Sequence, residues 1–245
     1  MNTLQATVGF GKTKELEPTA STEPPTSSST TEEQDLGTEG AKRELLEIIP
    51  HMTGKDPTQN ARVETLINYL ESQYQQCHTI DFFNLAIGGE WQFIFSTNMK
   101  NGVPRDLRLS SLTQVVEGDG YQGKVTNLAD FEMQYSKEGE EEEQQESAYE
   151  GTFSIASGYE MVDQSTRMSL QLTGHTVRDI TGGPQVPDGD VIQRLCSMLI
   201  RALPFELFDP NDLLVDTTYV DGDVRIVRHS GSVKLEGVRN IFVRV

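Results

Sequence analysis

Cysteine, histidine and tryptophan are all scarce in this chain of 245 residues. Its two cysteines, Cys77 and Cys196, are far apart and form no CxxC spacing, which excludes a disulfide framework or a zinc site of the usual kind. A single disulfide, a redox-sensitive pair and two reduced thiols remain open, the last being the expectation. The four histidines, His51, His78, His175 and His229, show neither an i, i+4 pair nor an HExxH spacing, so no metal centre is expected. Nucleophile elbows, P-loops and GxGxxG fingerprints are missing too, and Gly182-Gly183-Pro184 reads as a turn. With no catalytic residue set and no cofactor motif, an enzyme is not expected. Basic side chains number 20 against 38 acidic ones, for a net charge of −18. That excludes sequence-independent nucleic-acid binding and simple adhesion to an anionic bilayer. Any lipid contact must then be apolar and local. No apolar run approaches a membrane span. Residues 1–14 lack a secretory apolar core, and they are too poor in Arg and too soon acidic for a transit peptide, so no targeting segment is expected to be visible.

What is present divides into three parts. Residues 1–40 carry seven acidic and two basic side chains among Pro, Ser and Thr, with almost nothing to bury, and are expected to be a disordered tail. Residues 41–76 read as a helical hairpin. Leu45, Leu46, Ile48 and Ile49 form a stripe stopped by Pro50, and Asp56-Pro57 start a second helix carrying Val63, Leu66, Ile67 and Leu70. From residue 77 to 245 the pattern becomes mainly β. Trp91, Phe93 and Phe95 alternate in the first strand, and further strands are expected at 107–117, 121–135, 148–156, 160–173, 213–229 as a hairpin, and 239–245. About eight strands suit an antiparallel barrel able to hold one ligand. The Glu-rich run at 138–146 reads as a solvated loop. One amphipathic helix, 190–203, is inserted, with Val191, Leu195, Met198 and Ala202 on one face. It is either a plug for one barrel end or a helix at a lipid boundary. The apolar stretch Leu203 to Phe208 is the expected exposed loop.

The closing stretch Asp216-Thr217-Thr218-Tyr219-Val220-Asp221-Gly222-Asp223-Val224-Arg225 predicts a hairpin turning at Asp221-Gly222. Alternation puts Asp216, Thr218, Asp223 and Arg225 on one face, with Tyr219, Val224 and Ile226 on the other. The two acids could act as a carboxylate pair, but an Arg on the same face makes a charge-assisted structural network the simpler account. Gly89-Glu90-Trp91 has the Gly-x-Trp form found at a lipocalin's first strand, where an Arg of the closing strands stacks on the indole. Arg225 and Arg244 are the candidates for that role.

Taken together, the Ala-Lys-Arg-Glu-Leu-Leu lead-in, Gly89-Glu90-Trp91, Lys124 to Phe131 and the closing hairpin resemble the plastid lipid-associated protein (fibrillin) family. The resemblance covers most of residues 41–245. Val220, Gly222 and the long Glu-rich loop depart from the family's pattern. It implies a lipocalin-like fold and a plastid location at thylakoids or plastoglobules. It also implies an apolar ligand, whether a prenylquinone, a carotenoid or a fatty acyl lipid. The expected pocket wall is Phe93, Phe95, Phe131, Phe153, Thr218, Tyr219 and Arg225, and the expected barrel closure is Trp91, Asp216, Asp223, Arg225 and Arg244. A scaffolding subunit with a filled barrel, docked on a membrane complex or a biosynthetic enzyme, is the alternative.

Overall fold

The computed structural model describes residues 37–52, 56–77, 79–98, 104–135, 147–162, 166–182 and 189–245. Nearly all of the expected tail, the Glu-rich run at 138–146, His78 and Gly183-Pro184 lie outside them.

The described chain is mainly β. Eight antiparallel strands form one sheet that closes on itself in sequence order: β1 (Gly89–Ser96), β2 (Leu107–Asp119), β3 (Gln122–Tyr135), β4 (Ser147–Met161), β5 (Arg167–Thr181), β6 (Leu214–Val220), β7 (Val224–Ser230) and β8 (Arg239–Arg244). β8 returns to β1 through pairs such as Phe93↔Phe242, which completes the ring. The turn between β4 and β5 lies past Met161, later than the alternation suggested, because Ile155, Ser157 and Tyr159 continue one inward face opposite Asn127, Val125 and Gly123.

Three helices precede the ring: α1 (Gly37–Ile48), α2 (Pro57–Gln73) and α3 (Ile80–Ile87). α1 gives way to a one-turn 3-10 segment at Ile49–His51, where Pro50 cannot continue the α-helical ladder. Asp56 caps α2 by accepting from Thr58 N (2.9 Å) and Gln59 N (3.4 Å), and Pro57 fills the first helical position. The stripe of Ala41, Leu45, Val63, Leu66, Ile67 and Leu70 lies on the outer face of the closing strands, against Tyr219, Val224, Ile226 and Ile241. Ion pairs fasten this contact. Arg228 reaches Glu71 at 2.7 Å, and Arg239 meets Glu64 and Glu71. Lys42 binds Asp221 and Asp223 at 3.0 and 3.1 Å. Burial works against the Lys42 charge, but those carboxylates outweigh it and raise its pKa. α3 is absent from the sequence reading, being eight residues whose apolar side chains show no clean stripe. Thr79 caps it, and Phe83 and Ile87 point into the main core.

Two more helices, α4 (Gly189–Ala202) and α5 (Phe205–Phe208), connect β5 to β6. Val191, Leu195, Met198 and Leu199 of α4 are buried in the same apolar core as the inward side chains of the strands, which favours core packing over a lipid boundary. Among the described residues, no helix is long and apolar enough to cross a membrane.

The hairpin register differs from the expected one. Val220 pairs with Arg225, and Asp221 N donates to Val224 O, so the turn residues are Gly222-Asp223. Gly222 has no positive φ; the turn is held by the Asp221 carboxylate, which accepts from Asp223 N (2.8 Å) and Val224 N (2.7 Å). Burial disfavours the Asp221 charge, yet those N–H groups, the Tyr219 hydroxyl and Lys42 hold its pKa below the usual range. A bulge at Thr218 then reverses the alternation, leaving Thr217 inward, and Asp216 and Tyr219 outward.

Candidate functional site

The interior of the ring has two ends, each built around a buried charge. At the first, Trp91 is fully buried and its Nε1 donates to Ile87 O at 2.7 Å. The Arg225 guanidinium lies 5.1 Å from the Trp91 ring and 4.8 Å from Phe242, and Arg244 lies 4.1 Å from Trp91 on the more open side. Both cations face the last carbonyls of α3. Arg244 donates to Ala86 O (2.8 Å) and Gly88 O (3.0 Å), and Arg225 to Ile87 O (3.4 Å). These carbonyls have no partner within the helix and carry its negative dipole end, so they and the ring faces solvate the Arg225 guanidinium, which pairs with no carboxylate among the described residues. Burial and the neighbouring Arg244 pull the Arg225 pKa down to about 9, and the group stays protonated at neutral pH.

At the other end Pro204 turns the chain inward. Leu203, Glu206, Leu207 and Phe208 are buried, and only Phe205 stays in solvent. The expected exposed loop is therefore an internal plug, because one helical turn places 206, 207 and 208 together beneath the strands. Glu206, 1% exposed, accepts from Ser96 Oγ at 2.7 Å and from Asn98 Nδ2 at 3.2 Å. The hydrogen-bonding pattern orients Asn240 so that its Nδ2 donates to Glu206 Oε1 (3.0 Å) while its Oδ1 accepts from His229 Nε2 (3.0 Å). His229 is buried, its Nδ1 has no partner among the described residues, and burial lowers its pKa to about 4, so the ring is neutral at pH 7. Asn127 Nδ2 donates to Leu207 O (2.9 Å) and His175 Nε2 to Phe208 O (2.7 Å). Phe208 stacks on His175 and Phe153, with centroids 4.8 and 5.8 Å apart.

A polar seam joins the two ends. Arg225 Nη2 donates to Gln114 Oε1, Gln114 Nε2 donates to Asn127 Oδ1 (2.8 Å), and Asn127 passes on to the plug. Beside this seam remains a void of about 20 Å³, lined by residues including Gln114, Asn127, Glu206 and His229, with room for about one water.

Of the expected pocket wall, Phe93, Phe131, Phe153 and Arg225 face inward, but they meet the protein's own side chains. Phe93 packs edge-on against Phe242 (5.7 Å), and Phe153 stacks on the plug. Phe95 lies on the outer face under the helical hairpin, because the irregularity after Phe93 shifts the alternation by one, and Tyr219 lies there too, with Val224 and Ile226 as the alternation grouped them. Thr218 occupies its bulge and donates to Ile226 O (3.3 Å). Of the expected closure, Asp216 binds Arg167 on the outer surface at 2.8 Å, and Asp223 lies in the turn with Lys42, so neither acid reaches Arg225. The carboxylate pair does not form.

Sequence reasoning passed over Gln114, Asn127, His229, Asn240, Ser96 and Glu206. Their signal was present. Gln114 and Asn127 interrupt otherwise apolar inward positions, and Glu206 is an acid inside an apolar run. No protein-family model, no curated protein and no solved structure matches the chain.

Proposed function

We propose that the protein is a non-enzymatic scaffolding subunit built on a lipocalin-like barrel, of the plastid lipid-associated kind, whose barrel is filled by its own α4–α5 segment. One observation carries this reading: Glu206 and Leu207 are buried and hydrogen-bonded to the buried Ser96 and Asn127, and the adjoining Phe208 is buried and bonded to the exposed His175. An open barrel sheltering a prenylquinone, carotenoid or acyl lipid needs a pocket of several hundred Å³. The void of about 20 Å³ beside the polar seam is far smaller than that, which favours the filled-barrel reading. The plastid setting rests on the sequence resemblance.

Of the buried polar groups at this end, Glu206 and His229 border only a void of about one water among the described residues, which supports a structural reading of them over a catalytic one. Work is then left to the outer surface. Phe82 and Leu85 project from α3 at 66% and 76% exposure. The turn beside them carries the exposed Tyr121 and is tied to α3 by Asn84 Nδ2 donating to Gly120 O (2.8 Å). A strongly acidic chain suits an apolar patch with a basic rim on a thylakoid or plastoglobule protein complex better than an anionic lipid surface. Sedimentation of the full chain with thylakoid or plastoglobule membranes tests this. Binding is expected to be lost with Phe82→Ser/Leu85→Ser and with protease-shaved membranes. Stoichiometric quinone, carotenoid or lipid in the purified wild-type protein would overturn the filled-barrel reading.

A further inference from the structure

The ring closes with strands of unequal length. β6 accompanies β5 only from Arg167 to Ser169, whereas β5 runs on to Thr181 against β4 alone. Among the described residues, no strand lies beside 171–181 on the other side. Leu170 N donates to Leu213 O, so the main-chain groups of Leu170 point away from β4. Steps of two along β4, from its partner Tyr159 to Ser157, Ile155 and Phe153, carry that orientation past the irregularity at Thr173 to Leu172, His175 and Val177. The N–H and C=O groups of these three have no backbone partner among the described residues. An edge of this kind is a template for another strand unless something blunts it. Thr173, His175, Thr176 and Arg178 are exposed along it. Gly174 is the odd residue of the stretch. Its φ is not positive, and a Cβ there would meet nothing within 4 Å, so nothing inside the chain calls for glycine. Glycine within a strand often marks a place where another backbone comes close.

We propose that this edge is an interface with a second copy of the chain, whose own β5 edge pairs with it antiparallel about a two-fold axis at Thr176. The axis falls there because 174–178 keeps unbroken register with β4, between the irregularity at Thr173 and Asp179 at φ 54, and Thr176 is its middle. His175 then faces Val177 of the second copy, and Val177 faces its His175. These are the residues with free main-chain groups, so each pair exchanges two N–H···O=C bonds. Thr176 meets its own counterpart in the closer, non-hydrogen-bonded position. Gly174 faces Arg178 of the second copy, and the open space over the glycine admits that long side chain. Charge favours a copy as the occupant here. A chain of net charge −18 repels itself over most of its surface, but Gln171 to Thr181 holds one Arg and one Asp, and this register opposes no like charges. A head-to-tail contact with β2 is less well matched, since its free edge at 107–112 is broken between Leu109 and Ser111. The interface is separate from docking through Phe82 and Leu85, which lie on α3.

Sedimentation equilibrium of the full chain, at concentrations up to about 300 µM, tests the proposal. The wild-type chain is expected to dimerise in the micromolar range. Gly174→Lys sets a cation against Arg178 of the second copy at both symmetric positions, in space that the single chain leaves open. Dimerisation is expected to weaken by at least about tenfold. Adding Arg178→Glu turns both contacts into ion pairs and is expected to restore affinity to within about threefold of wild type. A wild-type chain that stays monomeric throughout overturns the proposal and leaves the edge to a segment of another protein. A dimer indifferent to Gly174→Lys, or one that Arg178→Glu does not restore, overturns it as well. Cross-linking reads the register. In a Cys77→Ala/Cys196→Ala background, Thr176→Cys places two thiols within disulfide reach across the axis, whereas Gln171→Cys leaves them about 30 Å apart. Mild oxidation is expected to give a covalent dimer of the first variant and none of the second; equal yields overturn the pairing.

Discussion

The two ends of the ring solve the same problem with opposite signs. At one end a buried cation, Arg225, is solvated by α3 carbonyls and aromatic faces; at the other a buried anion, Glu206, is solvated by hydroxyl and amide donors. They differ in where their parts come from. Trp91 follows α3 by four residues, and Arg225 and Arg244 sit on the strands that complete the ring, so the cation end is made of the same contacts that close the sheet. The anion end joins Glu206 to Ser96 across 110 residues of sequence, through a segment outside the strand ladder. The cation end should therefore govern global stability, and the anion end local opening.

The largest expected effect is at Trp91. Trp91→Ala removes a fully buried indole, its bond to Ile87 O and the surface under two guanidinium groups, at a cost of about 3–5 kcal/mol in urea unfolding. A loss below about 1 kcal/mol would show that the cation end does not hold the ring closed.

Acid probes the opposite end. His229 has a folded pKa of about 4 against 6.5 unfolded, so between those values the unfolded chain binds a proton that the native chain refuses. Stability then rises with pH across that window; it is fully present above 6.5 and lost as pH falls toward 4, by at most about 3 kcal/mol. His229→Gln keeps a donor toward Asn240 and should flatten this slope in a pH series of denaturation midpoints. An unchanged slope would assign acid sensitivity elsewhere.

Arg225 separates volume from charge. Arg225→Ala is expected to cost about 3 kcal/mol, through the cavity and an orphaned Gln114. Arg225→Met is expected to recover the cavity part of that, since an apolar residue of similar size fills the space and removes the cost of burying a guanidinium, while Gln114 stays orphaned. Equal losses in both variants would mean that the charge itself, set against the α3 carbonyls, carries the closure.

The cation end was legible in the sequence and the anion end was not, for a physical reason. Gly89-Glu90-Trp91 and Arg225 announce themselves by composition and by a strand period that runs unbroken from Gly89 to Phe93. The count of eight strands and both lead-in helices were legible for the same reason: their periods are regular and their stops, Pro50 and Asp56-Pro57, are local. Period-two reasoning fails where a bulge inserts one residue. The bulge at Thr218 and the irregularity between Phe93 and Phe95 put Asp216 and Phe95 on the face opposite to the one alternation gave them. The plug was hidden more deeply. Leu203 to Phe208 reads as greasy surface unless the donors that receive Glu206 are known, and those come from β1, β3, β5 and β8.

The smallest expected effect sharpens the comparison most. Glu206→Gln keeps the volume and one acceptor, but places an NH2 group where Glu206 Oε2 now accepts from Asn98, a partner near the surface whose amide can turn to accept instead. The cost should be about 1 kcal/mol, spread over one rearranged hydrogen bond and the lost charge. Global unfolding would hardly register it. Hydrogen exchange would, because a segment outside the strand ladder can open without opening the ring. Amides of α5 should exchange several-fold faster in Glu206→Gln, while those of β1, β8 and α3 keep their wild-type rates. Faster exchange spread evenly over both ends would mean that the seam from Arg225 through Gln114 and Asn127 binds plug and closure into one cooperative unit, and the division into a global end and a local end would fail.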